Sequence, residues 1–295
     1  MSRSGRPDPR GTDSGAAPRL FEHLPVLRVV PTREIHLHEE FDSERVEAIA
    51  GAMRRDRVLT NPPIVASVPG SKAFALLDGA NRVMAARRLG FPHFLVQVVD
   101  YGDPAIVLSK WDHLVRNFSG EEFFAALEGI PGLERRPASL ADARDTLAAR
   151  GAFCYVHHGE RGTVALSPAS RTDSEVKLLR AITGIYKDRG TIVRVLMNAS
   201  LPEEIDDADA FLLMFPTFTK DDIVRCALSR HEKLPTGISR HVIPNRALRV
   251  NLPLSLLRSA KSVAEKNRAL EAHVADRARR NAIRHYTEAT FIYDE

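Results

Sequence analysis

Between Leu76 and Ala86 the sequence reads Leu76-Leu77-Asp78-Gly79-Ala80-Asn81-Arg82-Val83-Met84-Ala85-Ala86, a run with few ways to fold. An apolar strand ends in an acid, a glycine permits a tight turn, and a helix begins at once with an arginine in its first turn. The free backbone N–H groups and dipole at such a helix start favour a phosphate. Arg82 adds an always-charged planar fork. Asp78 cannot itself bind phosphate. Beside one it suits Mg²⁺, or the orientation of a phosphoryl acceptor. It equally suits a plain helix cap, and spacing alone leaves both roles open.

The surroundings complete a compact α/β unit. Val26–Val30 reads as a strand. Asp42 or Ser43 can cap a helix with Val46, Ile49, Ala50 and Met53 on its apolar face, which Asn61-Pro62-Pro63 should stop. Ile64–Ser67 and Ala73–Leu77 read as strands around Pro69-Gly70. A helix from Asn81 to Leu89 has Gly90 at its C′ position, and Phe94–Val99 is a further strand. Beyond it the pattern predicts helices over Gly120–Leu127, Ser139–Arg150, Ser174–Lys187 and Thr219–Arg230, and a long one over Arg258–Arg284. Strands are expected at Phe153–His157 and Thr290–Tyr293. The fold class is thus α/β (α+β). Three divisions are expected: a disordered tail over 1–19, poor in apolar residues; a first domain over 20–130; and a C-terminal α/β domain over 131–295, with the boundary at Pro131–Pro137.

Composition narrows the function classes. The chain has 295 residues, 44% of them hydrophobic, and no apolar run long enough to span a bilayer. No secretory signal is evident, and Cys154 and Cys226 are too few for a disulfide framework, so a reducing, cytoplasmic setting is expected. A net charge of +4 is mild and does not by itself argue for nucleic acid.

A second segment, Ile35-His36-Leu37-His38-Glu39-Glu40-Phe41, carries adjacent carboxylates in a strand-to-helix loop, so at most one should face a site. His36 and His38 share a face if extended, but with no third ligand evident they are expected to be a solvent-facing pair rather than a metal site.

Together, Asp78-Gly79-x-x-Arg82 before a helix, His38-Glu39 and Asn61-Pro62 resemble the ParB/sulfiredoxin fold. Within it the chain resembles the free L-serine kinases, in particular the ATP-using kind of siderophore biosynthesis. The likeness runs from about Leu24 to the C-terminus through Leu37-His38-Glu39-x-Phe41, Trp111-x-His113, Thr236-Gly237-x-Ser239-Arg240, Arg246-x-Leu248, Pro253-Leu254-x-Leu256-Leu257 and Tyr286-Thr287-Glu288. The resemblance implies a small ParB/sulfiredoxin-like N-terminal domain followed by a mixed α/β domain, with ATP and Mg²⁺ as cofactors and free L-serine as substrate. It implies that Glu39 is the base toward the serine hydroxyl and that Asp78 is the second catalytic acid and the ligand of Mg²⁺. Gly79, Ala80, Asn81 and Arg82 would cradle phosphate. Trp111, Thr236, Ser239, Arg240 and His241 would close over the amino acid, with Arg240 the candidate for its carboxylate. The family usually has histidine where this chain has Asn81; asparagine can still donate a hydrogen bond but carries no charge.

By the same resemblance, O-phospho-L-serine would feed a 2,3-diaminopropionate-forming enzyme. The alternative from another class is a ParB-like DNA-binding transcriptional regulator using Arg258–Arg284. No recognition-helix pattern supports it, and Glu265, Glu271 and Asp276 interleave the basic residues as on a solvated helix. A nuclease lacks the carboxylate cluster for two-metal cleavage, and a sulfiredoxin-like reductase lacks a cysteine near the phosphate turn.

Overall fold

The computed structural model describes residues 24–148, 153–170, 174–196, 205, 207 and 209–286. The tail expected over 1–19 and the strand expected at Thr290–Tyr293 lie outside them. The chain runs β1 (Val26–Pro31), a 3-10 turn (Thr32–Glu34), β2 (Ile35–Leu37), α1 (Ser43–Asp56), β3 (Val58–Leu59), β4 (Ile64–Ser67), β5 (Phe74–Asp78), α2 (Ala80–Arg88), β6 (His93–Val99), β7 (Val107–Lys110) and β8 (Asp112–Arg116). It continues through α3 (Gly120–Glu128), β9 (Leu133–Ala138), α4 (Leu140–Ala148), β10 (Cys154–His158), β11 (Gly162–Pro168), α5 (Glu175–Tyr186) and β12 (Thr191–Val195). Then come β13 (Ala210–Met214), α6 (Lys220–Leu228), β14 (Ser239–Val242), β15 (Leu252–Pro253), α7 (Leu254–Arg258) and α8 (Val263–Arg279). No helix among the described residues is long and apolar enough to cross a membrane.

Two sheets organise this mixed α/β chain. The first has the order β1-β6-β4-β5-β2 and is mixed, with β2 parallel to β5 and β4 parallel to β6. The second is antiparallel, β12-β8-β13-β10-β11-β9. Val29, Ile35, Val46, Ala50, Val83 and Phe94 centre one core, and Leu252, Leu257 and Leu270 from the far end of the chain join it. Phe123, Tyr186 and Phe211 centre the other, which also takes in Ile64 and Leu77 from the first sheet. The two sheets therefore share apolar contact, although the first draws only on strands up to β6 and the second only on β8 to β13.

Local rules explain the helix starts better than the stops. Asp42 caps α1 by accepting from the Arg45 N–H at 3.0 Å, and Val46, Ala50 and Met53 are buried as the spacing predicts. The helix ends at Arg57, in left-handed backbone at φ 60°, before the Asn61-Pro62-Pro63 stop expected from sequence. Val58 and Leu59 then pair with β15.

The long helix expected over Arg258–Arg284 is shorter at both ends, since α7 stops at Arg258 and α8 covers only Val263–Arg279. A capping box of Ser262 and Glu265 starts α8 at Val263, and it ends at Arg279. Asn267 on α8 bonds the Val29 N–H and C=O at 2.9 Å each, satisfying an edge strand that would otherwise present open hydrogen-bonding groups. The segment expected as a boundary, Pro131–Pro137, holds most of edge strand β9.

Candidate active site

Parallel pairing of β2 with β5 decides where the chemistry gathers. The register Ile35↔Phe74, His36↔Ala75, Leu37↔Leu76, carried on by two residues, brings Glu39 level with Asp78. Both leave the carboxyl ends of neighbouring strands, where chain departing in different directions opens a crevice. A cleft of about 490 Å³ lies there, and every site residue singled out from sequence lines it.

At one end of the cleft β5 stops at Asp78. Gly79 turns the chain with φ +96° and is the N-cap of α2; a Cβ there would meet Pro63 and Arg82 at 3.0 Å. Among the described residues no side chain caps α2, so Asp78 is not its cap. Its Oδ2 instead accepts from Arg82 Nη2 at 2.8 Å and Arg246 Nη2 at 2.5 Å. Arg82 also donates from Nη1 to the carbonyls of Asn61 and Pro62 at 2.7 and 3.3 Å. Its fork thus braces the turn. Burial lowers the Arg82 pKa, opposed by the Asp78 charge. Asn81 accepts from the Asp42 N–H at 3.1 Å and ties the turn to the start of α1.

At the other end Glu39 is largely enclosed. Oε2 accepts from the Gly237 N–H at 2.8 Å, and Oε1 accepts from the Ser239 hydroxyl and lies 3.1 Å from His38 Nε2. Burial pushes the carboxyl pKa up, but the bond and charge of His38, with Ser239 and Gly237, outweigh it and hold it below the ordinary glutamate value. Glu40 also lines the cleft, but its carboxylate is paired, 2.7 Å from Arg180 and 3.6 Å from Lys187. Both adjacent residues thus border the cleft, where the sequence led to the expectation of at most one, and they differ in their partners.

His38 departs from the solvent-facing expectation. It is 5% exposed; Nδ1 donates to the Leu76 carbonyl at 2.6 Å, and Nε2 lies 2.8 Å from Ser239 Oγ. His36 is half-buried, its pKa lowered chiefly by burial. His38 and His241 pack edge to face, and His241 Nε2 lies 2.8 Å from the Tyr101 hydroxyl. Burial lowers the His241 pKa to about 3 and raises that of Tyr101, so both stay neutral.

β14 pairs with β7 and so lays Ser239, Arg240 and His241 beside Trp111. The Arg240 guanidinium sits 5.0 Å over the Trp111 ring. Thr236 Oγ1 is buried with no hydrogen-bond partner among the described residues. Sequence reasoning assigned no role to His38, Arg194 or Arg246, which also line the cleft. Only the Arg246-x-Leu248 block signalled Arg246. Its partner Asp78 is 168 residues away.

The chain's relatives are consistent with one another. A curated ATP-dependent L-serine kinase from Staphylothermus marinus is 30% identical over 250 residues, covering 80% of this chain and 94% of that protein. The ATP-dependent L-serine kinase SbnI of Staphylococcus aureus is 21% identical over 276 residues, covering 94% and 99%. The solved structure of SbnI with a C-terminal truncation matches with a TM-score of 0.71 at 20% identity, covering 85% of this chain and 97% of that one. A free serine kinase in complex with AMP matches at 0.67 and 14% identity, covering 80% and 95%. The structural matches, at these identities, establish a shared fold. No protein-family model matches the chain. With a relative 30% identical across four-fifths of its length, the chain belongs to the family of ATP-dependent L-serine kinases.

Proposed function

We propose that this chain transfers the γ-phosphate of ATP to the hydroxyl of free L-serine, giving ADP and O-phospho-L-serine. One observation carries the reading: the parallel register of β2 and β5 sets a Glu39 held ionised opposite a helix-start turn, in one cleft sized for small molecules. A serine hydroxyl is a weak nucleophile at neutral pH. Glu39 accepts its proton as the oxygen attacks the γ-phosphorus and the bond to the β-phosphate oxygen breaks. The N–H groups from Gly79 to Arg82 at the start of α2 receive phosphate oxygens, and Arg82 and Arg246 hold Asp78 and add positive charge.

Trp111, Thr236, Ser239, Arg240 and His241 enclose the amino acid, with Arg240 reaching its carboxylate. Mg²⁺ fits this donor set. It binds through one or two carboxylates plus substrate phosphates, and among the described residues Asp78 Oδ1 makes no hydrogen bond. Asp78 is the residue that would hold it, and when bound it neutralises charge on the transferring phosphate.

The division expected at 131–137 assigns the phosphate turn to the first body and most of the amino-acid pocket to the second. A reducing cytoplasm supplies both substrates. The product carries a phosphate leaving group on its β-carbon, which suits an enzyme replacing it with an amine, as in 2,3-diaminopropionate formation for siderophores.

A substrate panel tests the reading. With ATP and Mg²⁺, L-serine should yield a phosphorylated product by mass spectrometry, while ethanolamine, which lacks the carboxylate, should be a very poor acceptor. Equal phosphorylation of ethanolamine would remove the carboxylate pocket.

A further inference from the structure

His113 lies in β8, inside the second sheet, and is 2% exposed. Its Nε2 is 3.1 Å from the Gly237 carbonyl oxygen. A carbonyl only accepts, so Nε2 carries the hydrogen. The lone pair of the neutral ring is then at Nδ1, 2.8 Å from the Tyr186 hydroxyl, which donates to it. Tyr186 is fully buried, and the His113 ring packs edge-on against Tyr186 and Phe215, with centroids 6.0 and 4.9 Å apart. Burial lowers the His113 pKa to about 4, so the ring holds one tautomer through neutral pH.

Gly237 is gripped from both sides. Its C=O is held by His113, and its N–H donates to Glu39 Oε2 at 2.8 Å. Between these two groups lies a φ of +75°, a conformation that glycine enters and leaves freely. Ile238 is pinned next to it, accepting from the Trp111 N–H at 3.0 Å. Without a fixed carbonyl, nothing in glycine's own backbone keeps its N–H aimed at the glutamate.

We infer that His113 is a positioning residue for Glu39: acting through the Gly237 backbone, with Tyr186 fixing its tautomer, it aims the N–H that holds the Glu39 carboxylate. The second core thereby sets the geometry of a base that belongs to the first sheet. The inference rests on Glu39 being the base of the serine kinase reaction.

The test compares His113→Phe, His113→Gln and Tyr186→Phe in the full chain. His113→Phe removes the donor and should lower kcat roughly tenfold, the kinetic equivalent of one net hydrogen bond. The KM for ATP should stay unchanged, and the acid limb of the kcat profile should move to higher pH. His113→Gln places an amide donor near the Nε2 position and should recover most of that loss. Tyr186→Phe should shift the limb the same way by less. A second readout needs no turnover: the Gly237 amide signal of ¹⁵N-glycine-labelled protein, followed through a pH titration. Its inflection reports Glu39 in the wild type and should rise in His113→Phe. If the wild type fails to phosphorylate serine, the kinase reading fails while this titration still decides the coupling. An unmoved Gly237 inflection in His113→Phe, or a His113→Gln as impaired as the Phe variant, overturns the inference. Should His113→Phe not fold, the Gln and Tyr186→Phe variants decide by the same two readouts.

Discussion

Asp78 and Glu39 are both carboxylates in one cleft, and their surroundings separate their roles. Asp78 takes two guanidinium groups on one oxygen and caps no helix. Asp78→Asn should therefore cost activity out of proportion to its effect on melting temperature. An asparagine that keeps most turnover would return Asp78 to a structural role. Glu39 has its pKa lowered by donors, so its sign is the usual one for a paired acid. Its contribution to stability is fully present above the unfolded value of 4.5 and is lost as pH falls through the lower folded value. The acid limb of kcat/KM should lie below the ordinary glutamate range. Ser239→Ala, which removes one donor, should move that limb upward; a limb that stays put would mean that another group titrates. Both carboxylates were legible in sequence because each sits in a short local motif. His38 was not, because its partners Leu76 and Ser239 are 38 and 201 residues away. A lone histidine in an alternating segment gives no sign of such contacts.

At the scale of elements, the strand–turn–helix at Asp78–Arg82 folds as its sequence dictates. Gly79 is required there both by φ +96° and by the lack of room beside Pro63 and Arg82. Gly79→Ala should destabilise the chain by about 1–2 kcal/mol from the left-handed backbone alone. It should also abolish most turnover, since the phosphate turn must shift. Thermal unfolding and a kinase assay on the same preparation check both, and an alanine variant with wild-type melting and rate would contradict the tight-turn account. Helix starts were legible through caps such as Asp42 and Thr219, whose side chain forms a reciprocal box with Asp222. Several strands were not. β13, Ala210–Met214, is buried along its whole length and shows no alternation, whereas β9 is an edge strand carrying Glu134, Arg135, Arg136 and Pro137. Neither pattern stands out from a buried helix segment or a loop.

For the molecule as a whole, the cleft exists because distant pieces of chain converge on one sheet end. Glu39 and the Asp78 turn come from the first sheet. Gly237 and Ser239 come from 198 and 200 residues after Glu39 and Arg246 from 168 after Asp78, and α7 and α8 then return to the first core. The family resemblance pointed to residues that line this cleft, but the convergence itself was not legible. It depends on strand pairings such as β14 with β7 that no local period encodes. The central claim is that this assembly moves phosphate from ATP to free serine with Glu39 as base. The most direct measurement is ³¹P NMR of ATP, Mg²⁺ and L-serine with the wild type, Glu39→Gln and Glu40→Gln side by side. The account predicts growth of an O-phosphoserine signal at the expense of γ-phosphate in the wild type. Glu39→Gln should be slower by roughly 10²–10⁴-fold, and Glu40→Gln near the wild-type rate. Absence of that signal in the wild type, or a Glu39→Gln variant that turns over normally, would contradict it.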